Sequence, residues 1–181
     1  MKISKLIFVD IETSGLNPDT DQMLEIAVVV TDTDLNIQGG TSRVISPLLG
    51  LHPETWPDVV RKMHEKNGLL NELRAGAGVP HFQAEQEILD TLLPNVKSQE
   101  SPMCGSSVHF DRAFMRLQMP TLNKFFHYRN MDTSTFKSAV NLWAPKDAYP
   151  FMPDGEKPHR AMEDVKASIA ELSYYRNLLF H

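Results

Sequence analysis

Short apolar runs and polar turns alternate along the first part of the chain. Residues 6–10, 24–31 and 37–46 are rich in β-branched side chains and predict three strands. Residues 13–21, between the first two strands, contain glycine, proline, asparagine and aspartate, which favour a turn. Because consecutive strands joined by short turns usually pair, the pattern predicts an antiparallel meander.

Apolar side chains recur at helical spacing through most of the remaining chain. The clearest stripe, Met162, Val165, Ile169 and Leu172, follows the 3.6-residue period of a helix over residues 160–179. Strands followed by alternating helices and strands predict an α/β sandwich on a mixed sheet. The other predicted elements are helices over 58–73, 82–96, 111–119 and 133–143, strands over 102–106 and 128–131, and a proline-rich loop over 144–158.

Length and composition fit a single domain over residues 1–181. Of these residues, 41% are hydrophobic and 23% are charged, which is typical of a globular protein. The apolar runs are too short to cross a membrane, and we find no signal-peptide pattern. The single cysteine, Cys104, excludes an internal disulfide framework, so we expect a cytoplasmic protein.

The net charge of −5 limits the kind of nucleic acid that the chain can bind. Long nucleic acids are normally held by many phosphate contacts from a basic surface, which an acidic chain does not favour. A short nucleic acid, or one held through metal ions, is compatible with this charge.

Two carboxylates, Asp10 and Glu12, stand at the end of the first predicted strand. Residues two apart in an extended chain point to the same face, so these side chains repel each other unless a cation lies between them. The turn over 13–16 then leaves both acids open to a ligand. The alternative is a pair of solvated acids at a strand end.

A second candidate group lies near the C-terminus, where His159 precedes Asp164 by five residues. An acid in the first turn of the last predicted helix can hold a metal ion, or it can simply stabilise the helix N-terminus. A histidine on the preceding loop, with an ordinary pKa of about 6.5, can accept a proton from water near neutral pH. The alternative for His159 is a loop residue without a catalytic role.

Asp111 opens another predicted helix, where an acid most often caps the helix. Taken together, the four acids and the histidine form a set of hard oxygen ligands with one base. Such a set suits Mg²⁺ or Mn²⁺ better than zinc, which prefers cysteine and histidine.

The motifs around these residues resemble those of the DEDDh 3′→5′ exonucleases. The general signature is the run Asp-Ile-Glu-Thr-Ser-Gly-Leu over 10–16, followed by Asp111, His159 and Asp164. Three longer blocks narrow the resemblance to the oligoribonuclease family, and together they extend it over nearly the whole chain. These blocks cover residues 63–69, 127–135 and 159–176.

The resemblance implies a ribonuclease H-like fold, with a mixed five-stranded sheet flanked by helices. It also implies a homodimer that degrades short single-stranded RNA of about two to five nucleotides, dinucleotides above all, to 5′-mononucleotides. The active site would use two Mg²⁺ or Mn²⁺ ions. The four carboxylates, Asp10, Glu12, Asp111 and Asp164, would bind these ions, and His159 would be the general base.

Roles in substrate binding are implied in the same way. Leu16 would wedge against a base, and His64 would lie near the nucleotide. A cap over the 5′ phosphate would consist of Ser107, Ser134 and Arg129. Tyr128, together with Arg129, would reach into the partner subunit's active site.

The sequence departs from the family pattern at three positions that bear on base contacts. Thr13 stands where the family usually has methionine, and Ser106 stands where it usually has asparagine. Val59 replaces a tryptophan, and Trp56 lies about one helical turn earlier.

Part of the sequence is also compatible with two other functions. A DNA exonuclease, or a general single-strand 3′→5′ exonuclease, of the same superfamily shares the first motif, but the His-Tyr-Arg run over 127–129 argues against it. A non-catalytic nucleic-acid-binding module would be expected to have lost a carboxylate, and all four are present.

Overall fold

The computed structural model describes residues 3–145 and 159–180 of the chain. The strands are β1 (Lys5–Thr13), β2 (Met23–Asp32), β3 (Ile37–Val44), β4 (Met103–Gly105) and β5 (Asn130–Asp132). The helices are α1 (Asp58–Lys66), α2 (Leu69–Arg74), α3 (His81–Leu92), α4 (His109–Gln118), α5 (Pro120–Phe125), α6 (Thr133–Trp143) and α7 (Ala161–Phe180), with a 3₁₀ helix at Pro53–Thr55. The loop predicted over 144–158 lies, from residue 146 on, outside the described residues.

Within the described ranges, the strands form one mixed sheet in the order β3-β2-β1-β4-β5. β1 and β3 are antiparallel to β2, which confirms the predicted meander, whereas β4 runs parallel to both β1 and β5. β4 pairs with β1 at Ile7 and Phe8, near the start of β1. The second half of β1 therefore extends beyond β4, and other groups can bond to its edge.

The alternation of side chains along β1 decides which groups face which helix. Ile7, Val9 and Ile11 belong to the core that includes α3, α4 and α5. Leu6 and Phe8 belong to the opposite core, which includes the apolar stripe of α7. Since residues two apart share a face, Asp10 and Glu12 continue the α7 side of β1.

Two predicted elements near the candidate site differ from the structure. β1 was predicted over 6–10 but continues to Thr13, because its pairing with β2 extends through Glu12 and Thr13. Asp10 and Glu12 thus lie inside the strand rather than at its end. The single helix predicted over 58–73 is divided into α1 and α2 at Gly68, whose φ of 85° is left-handed and interrupts a helix.

The short helix α5 was not predicted, since six residues beginning with Pro120 carry little periodic signal. The predictions for α6 and α7 are confirmed, α6 with the predicted bounds and α7 within one residue. No helix in the described part of the chain is both long and apolar enough to cross a membrane.

Candidate active site

The two acidic groups predicted from opposite ends of the sequence meet at the end of β1. One carboxylate oxygen from each of Asp10, Glu12 and Asp164 lies within 4.8 Å of the others. Asp164 comes from the first turn of α7, the helix that packs on the same face of the sheet. Glu12 and Asp164 are buried and Asp10 is half-buried, so the cluster is partly shielded from solvent.

Asp111 approaches the same strand from its edge. It is buried, and its Oδ1 accepts a hydrogen bond from the backbone N–H of Ile11 at 3.0 Å. The bond gives a partner to a backbone N–H on the edge of β1, beyond the residues that pair with β4. It also places the Asp111 carboxylate next to Ile11, the residue between Asp10 and Glu12. The helix begins two residues earlier, at His109, so Asp111 is not its N-cap.

Burial and mutual repulsion make these acids poor anions in the absence of a cation. The pKa of Glu12 is raised to about 9, first by burial and then by Asp164, Glu25 and Asp111, while Arg160 opposes the shift. Burial also raises the pKa of Asp111 to about 7, against its backbone hydrogen bonds. A bound divalent cation would reduce this repulsion, so the three clustered carboxylates, Asp10, Glu12 and Asp164, fit a site for a divalent metal ion. Asp111 lies outside this cluster, on the edge of the same strand.

This repulsion predicts how the metal-free protein responds to pH. Because folding raises the pKa of Glu12, this side chain lowers the free energy of unfolding wherever it would be ionised in the unfolded chain. The destabilisation is absent below about pH 4.5 and grows as the pH rises toward about 9. At pH 7 Glu12 lowers the free energy of unfolding by at most about 3 kcal/mol. We expect Glu12→Gln, in EDTA, to unfold at a higher temperature than wild type at pH 8, with a smaller difference at pH 5.

Thermal unfolding followed by circular dichroism measures this effect. Glu163→Gln, which changes an exposed acid of α7 next to Asp164, is the control and should leave the pH dependence unchanged. A Glu12→Gln protein that is no more stable than wild type at pH 8 would show that the acids do not repel one another as described.

His159 lies two residues before the start of α7 and is half-buried. Its φ of 49° is left-handed, which is uncommon for a residue with a Cβ atom. Its backbone carbonyl accepts a hydrogen bond from the side-chain amide of Asn67, at the junction of α1 and α2. Sequence reasoning missed this contact, because Asn67 and His159 are far apart in the chain.

His64 is fully buried rather than exposed to solvent. Its Nε2 lies 2.9 Å from the backbone carbonyl of Thr13, the residue after Glu12, and donates to it. Burial lowers the pKa of His64, so the ring is neutral at pH 7. Trp56 is also buried, with its ring edge-on to His64 at 6.0 Å, whereas Val59 is exposed. In this structure His64 and Trp56 therefore support the end of β1.

Leu16 is 78% exposed on the turn that follows β1. The turn is closed by a hydrogen bond from the Ser14 N–H to the Gln22 carbonyl at 2.9 Å. A Cβ atom at Gly15 would lie only 2.3 Å from the Asp21 carboxylate, so a larger residue there would displace the Asp21 side chain. The turn thus presents a large apolar side chain four residues after Glu12.

Asp132, a residue that sequence reasoning missed, joins the two serines of the predicted phosphate cap. Its Oδ1 accepts hydrogen bonds from the N–H of Ser107 at 2.9 Å and from both the N–H and the hydroxyl of Ser134, at 2.9 and 2.6 Å. Asp132 is also the N-cap of α6. An aspartate directly before a Thr-Ser helix start is a capping signal that can be found in the sequence.

Tyr128 and Arg129 do not join this serine pair within one subunit. β5 separates Arg129 from Ser134, and its three residues alone span about 10 Å. The Arg129 guanidinium lies over the Tyr128 ring, 5.3 Å from its centre. Arg112 holds this segment by donating to the carbonyls of His127 at 2.7 Å and Tyr128 at 3.2 Å, a role that the sequence did not reveal.

The chain is similar in sequence to known exonucleases. A sequence model of the exonuclease family matches residues 7–172. The oligoribonuclease of Chromobacterium violaceum is 37% identical over an alignment of 181 positions, which covers 96% of this chain and 94% of that protein. The oligoribonuclease of Streptomyces avermitilis is 40% identical over 178 residues, which cover 97% of this chain and 87% of that protein.

Solved structures share the fold at lower sequence identity. Exonuclease I from Methylocaldum szegediense superposes with a TM-score of 0.73 at 19% identity, over 97% of this chain. E. coli exonuclease I in complex with a dT13 oligonucleotide has a TM-score of 0.69 at 22% identity, over 96% of this chain. The chain spans about two fifths of these proteins, 41% in both cases, so the likeness extends to the fold of one part of them.

Proposed function

The chain belongs to the oligoribonucleases of the exonuclease family, and on this basis we propose that it is a 3′→5′ exoribonuclease that degrades short oligoribonucleotides, dinucleotides foremost, to 5′-mononucleotides. One observation carries the proposal: one carboxylate oxygen from each of Asp10, Glu12 and Asp164 lies within 4.8 Å of the others. The proposal treats residues 1–181 as one exonuclease domain located in the cytoplasm.

The four carboxylates would hold two divalent ions, Mg²⁺ or Mn²⁺. When bound, such ions activate the attacking water and stabilise the charge that develops on the leaving 3′ oxygen. The carboxylates would position such ions, because Asp10 and Glu12 are fixed by the pairing of β1, and Asp164 by the packing of α7. His159 would accept the proton of the attacking water as the general base.

The preference for short substrates is supported by the features around the metal site. The exposed Leu16 would wedge against a base, and Ser107 and Ser134, which both donate to Asp132, would form part of a phosphate cap. A dinucleotide offers few phosphates, so it does not require the long basic surface that a chain with net charge −5 lacks.

The cap would be completed by a second subunit. Arg129 lies at the opposite end of β5 from Ser134, so it would serve the partner's site in a homodimer together with Tyr128. Both side chains are exposed in the single chain, as an intersubunit contact requires.

A direct assay tests the proposed reaction. The purified chain is incubated with Mg²⁺ or Mn²⁺ and with 5′-labelled RNA and DNA of two to seven nucleotides. We expect the dinucleotide RNA to be hydrolysed fastest and the product to be a 5′-mononucleotide. Equal or faster cleavage of the seven-nucleotide substrates, or of DNA, would favour a general single-strand exonuclease.

Arg129→Ala should reduce the cleavage of 5′-phosphorylated dinucleotides by about 10- to 100-fold, the usual value of a charge-assisted hydrogen bond. The loss should be much smaller for a seven-nucleotide RNA, because its 5′ phosphate lies far from the scissile bond. Initial rates on both substrates measure the difference. Arg116→Ala, which removes an exposed arginine of α4, is the matched control.

Mixing two impaired proteins, assayed on the 5′-phosphorylated dinucleotide, tests the role of the second subunit. A heterodimer of Arg129→Ala and Asp10→Asn contains one site with intact carboxylates and an intact partner arginine. We therefore expect partial recovery of activity in the mixture. If the subunits demonstrably exchange and activity does not recover, Arg129 does not act across the dimer.

A further inference from the structure

Side chains from elsewhere in the fold hold all three residues at the start of α7. The His159 carbonyl accepts from Asn67, and the Ala161 N–H donates to Glu25 Oε2 at 3.1 Å. Arg160, between them, donates to carboxylates of β2 and α2. The segment that carries the proposed base is thus anchored to the sheet and to the α1–α2 pair.

Arg160 forms a bidentate pair with each of two acids. Its Nε and Nη2 each donate to Glu25 at 3.0 Å, and its Nη1 and Nη2 donate to Glu72 at 2.7 and 3.2 Å. Glu25 is buried in β2, directly opposite Glu12 in the sheet register. This geometry uses the planar fork of a guanidinium, which lysine cannot reproduce.

Asn67 is itself held in place. Its Oδ1 accepts the N–H of Leu69 at 3.0 Å, which leaves its Nδ2 free to donate to the His159 carbonyl. His159 adopts a left-handed φ that the chain does not favour for histidine, so this conformation depends on the bonds to its neighbours.

We propose that Asn67 and Arg160 are positioning residues, which hold the backbone of His159 so that its imidazole meets the attacking water. The proposal rests on the proposed function, in which His159 is the general base. Neither residue touches the substrate in this scheme, and both act through His159.

The contacts of Arg160 also bear on the charge near the metal site, which is a different role from positioning His159. Arg160 neutralises Glu25 beside Glu12, and this could support metal binding rather than the base. A loss of charge compensation weakens metal binding, whereas a displaced base lowers kcat at saturating metal. The two roles therefore predict different measurements.

The test compares Asn67→Ala and Arg160→Lys in the wild-type and the His159→Ala backgrounds. With a dinucleotide RNA and saturating Mg²⁺, we expect each change to lower kcat by about 10- to 100-fold, as for a misplaced catalytic group, while KM changes little. In the His159→Ala background the same changes should lower kcat by less than about twofold, because residues that act through one group are not additive. Mn²⁺ affinity, measured by calorimetry, should stay within about twofold of wild type.

Arg176→Lys is the matched control, because Arg176 pairs with Asp34 near the other end of α7. It should leave kcat unchanged. Thermal unfolding identifies any variant that does not fold. If Arg160→Lys does not fold, Asn67→Ala, which removes no ion pair, provides the test on its own.

Several results would overturn the proposal. Wild-type kcat in Asn67→Ala and Arg160→Lys, an equal loss in both backgrounds, or a loss of Mn²⁺ affinity would each exclude a positioning role. If His159→Ala itself keeps wild-type kcat, the base assignment fails and the positioning role fails with it. If His159→Ala loses kcat while the other two do not, only the positioning role fails.

Discussion

Asp10→Asn, Glu12→Gln, Asp111→Asn and Asp164→Asn should each lower the hydrolysis of a dinucleotide RNA by at least about 10³-fold. Each change keeps the shape of the side chain but replaces an anionic oxygen ligand by an amide, which binds a divalent cation weakly. Single-turnover rates at several Mg²⁺ concentrations measure the loss and show whether excess metal restores part of it.

The fold should survive these changes. Asp111→Asn is the most informative of the four, since an amide oxygen can still accept the Ile11 N–H and keep the edge of β1 satisfied. Asp90→Asn, at an exposed position of α3, is the control for the loss of one negative charge. Substantial activity in any two of the four variants would exclude a site in which all four carboxylates hold two ions.

The part of this site that lies on one strand could be predicted from local rules. Alternation along β1 predicts that Asp10 and Glu12 share a face, and the structure places both beside Asp164. The approach of Asp164 depends on the packing of α7 against the sheet, which periodicity alone does not specify. The family resemblance supplied that step, because its motifs join distant parts of the chain.

The length of β1 and the break between α1 and α2 show where local patterns fail. Glu12 is polar and would normally end a buried strand, but it stays in β1 because β2 pairs with it through Glu25. Tertiary pairing thus outweighs the local preference in β1. At Gly68 the reverse holds: Asn67-Gly68 is a local signal that ends a helix, and the apolar period over 58–73 was given more weight than this signal.

The residues that support the site were the hardest to predict. Arg112 and Asn67 bind backbone carbonyls, which every residue carries, so nothing in the sequence marks their partners. Asp132 differs, because its place before a helix start predicts a cap, although its bond to Ser107 depends on the neighbouring strands. Contacts to backbone groups are thus visible only in the folded chain.

His159→Ala should lower kcat by about 10²- to 10⁴-fold, the usual contribution of a general base. The carboxylates and the substrate contacts remain, so short RNA should bind with nearly the wild-type affinity. The activity of wild type should fall on the acidic side of its pH profile, because a protonated imidazole cannot accept a proton from water. The variant should lose this dependence.

The pH profile must be measured at saturating Mg²⁺ to separate the base from the metal ligands. Without a cation, Glu12 and Asp111 also take up protons between about pH 7 and 9, as their raised pKa values show. A bound cation favours their ionised forms and moves these titrations to lower pH. The fall in activity on the acidic side that disappears in His159→Ala then belongs to His159, and His52→Ala, at an exposed position, should leave it unchanged. A fall that is the same in wild type and His159→Ala would exclude His159 as the base.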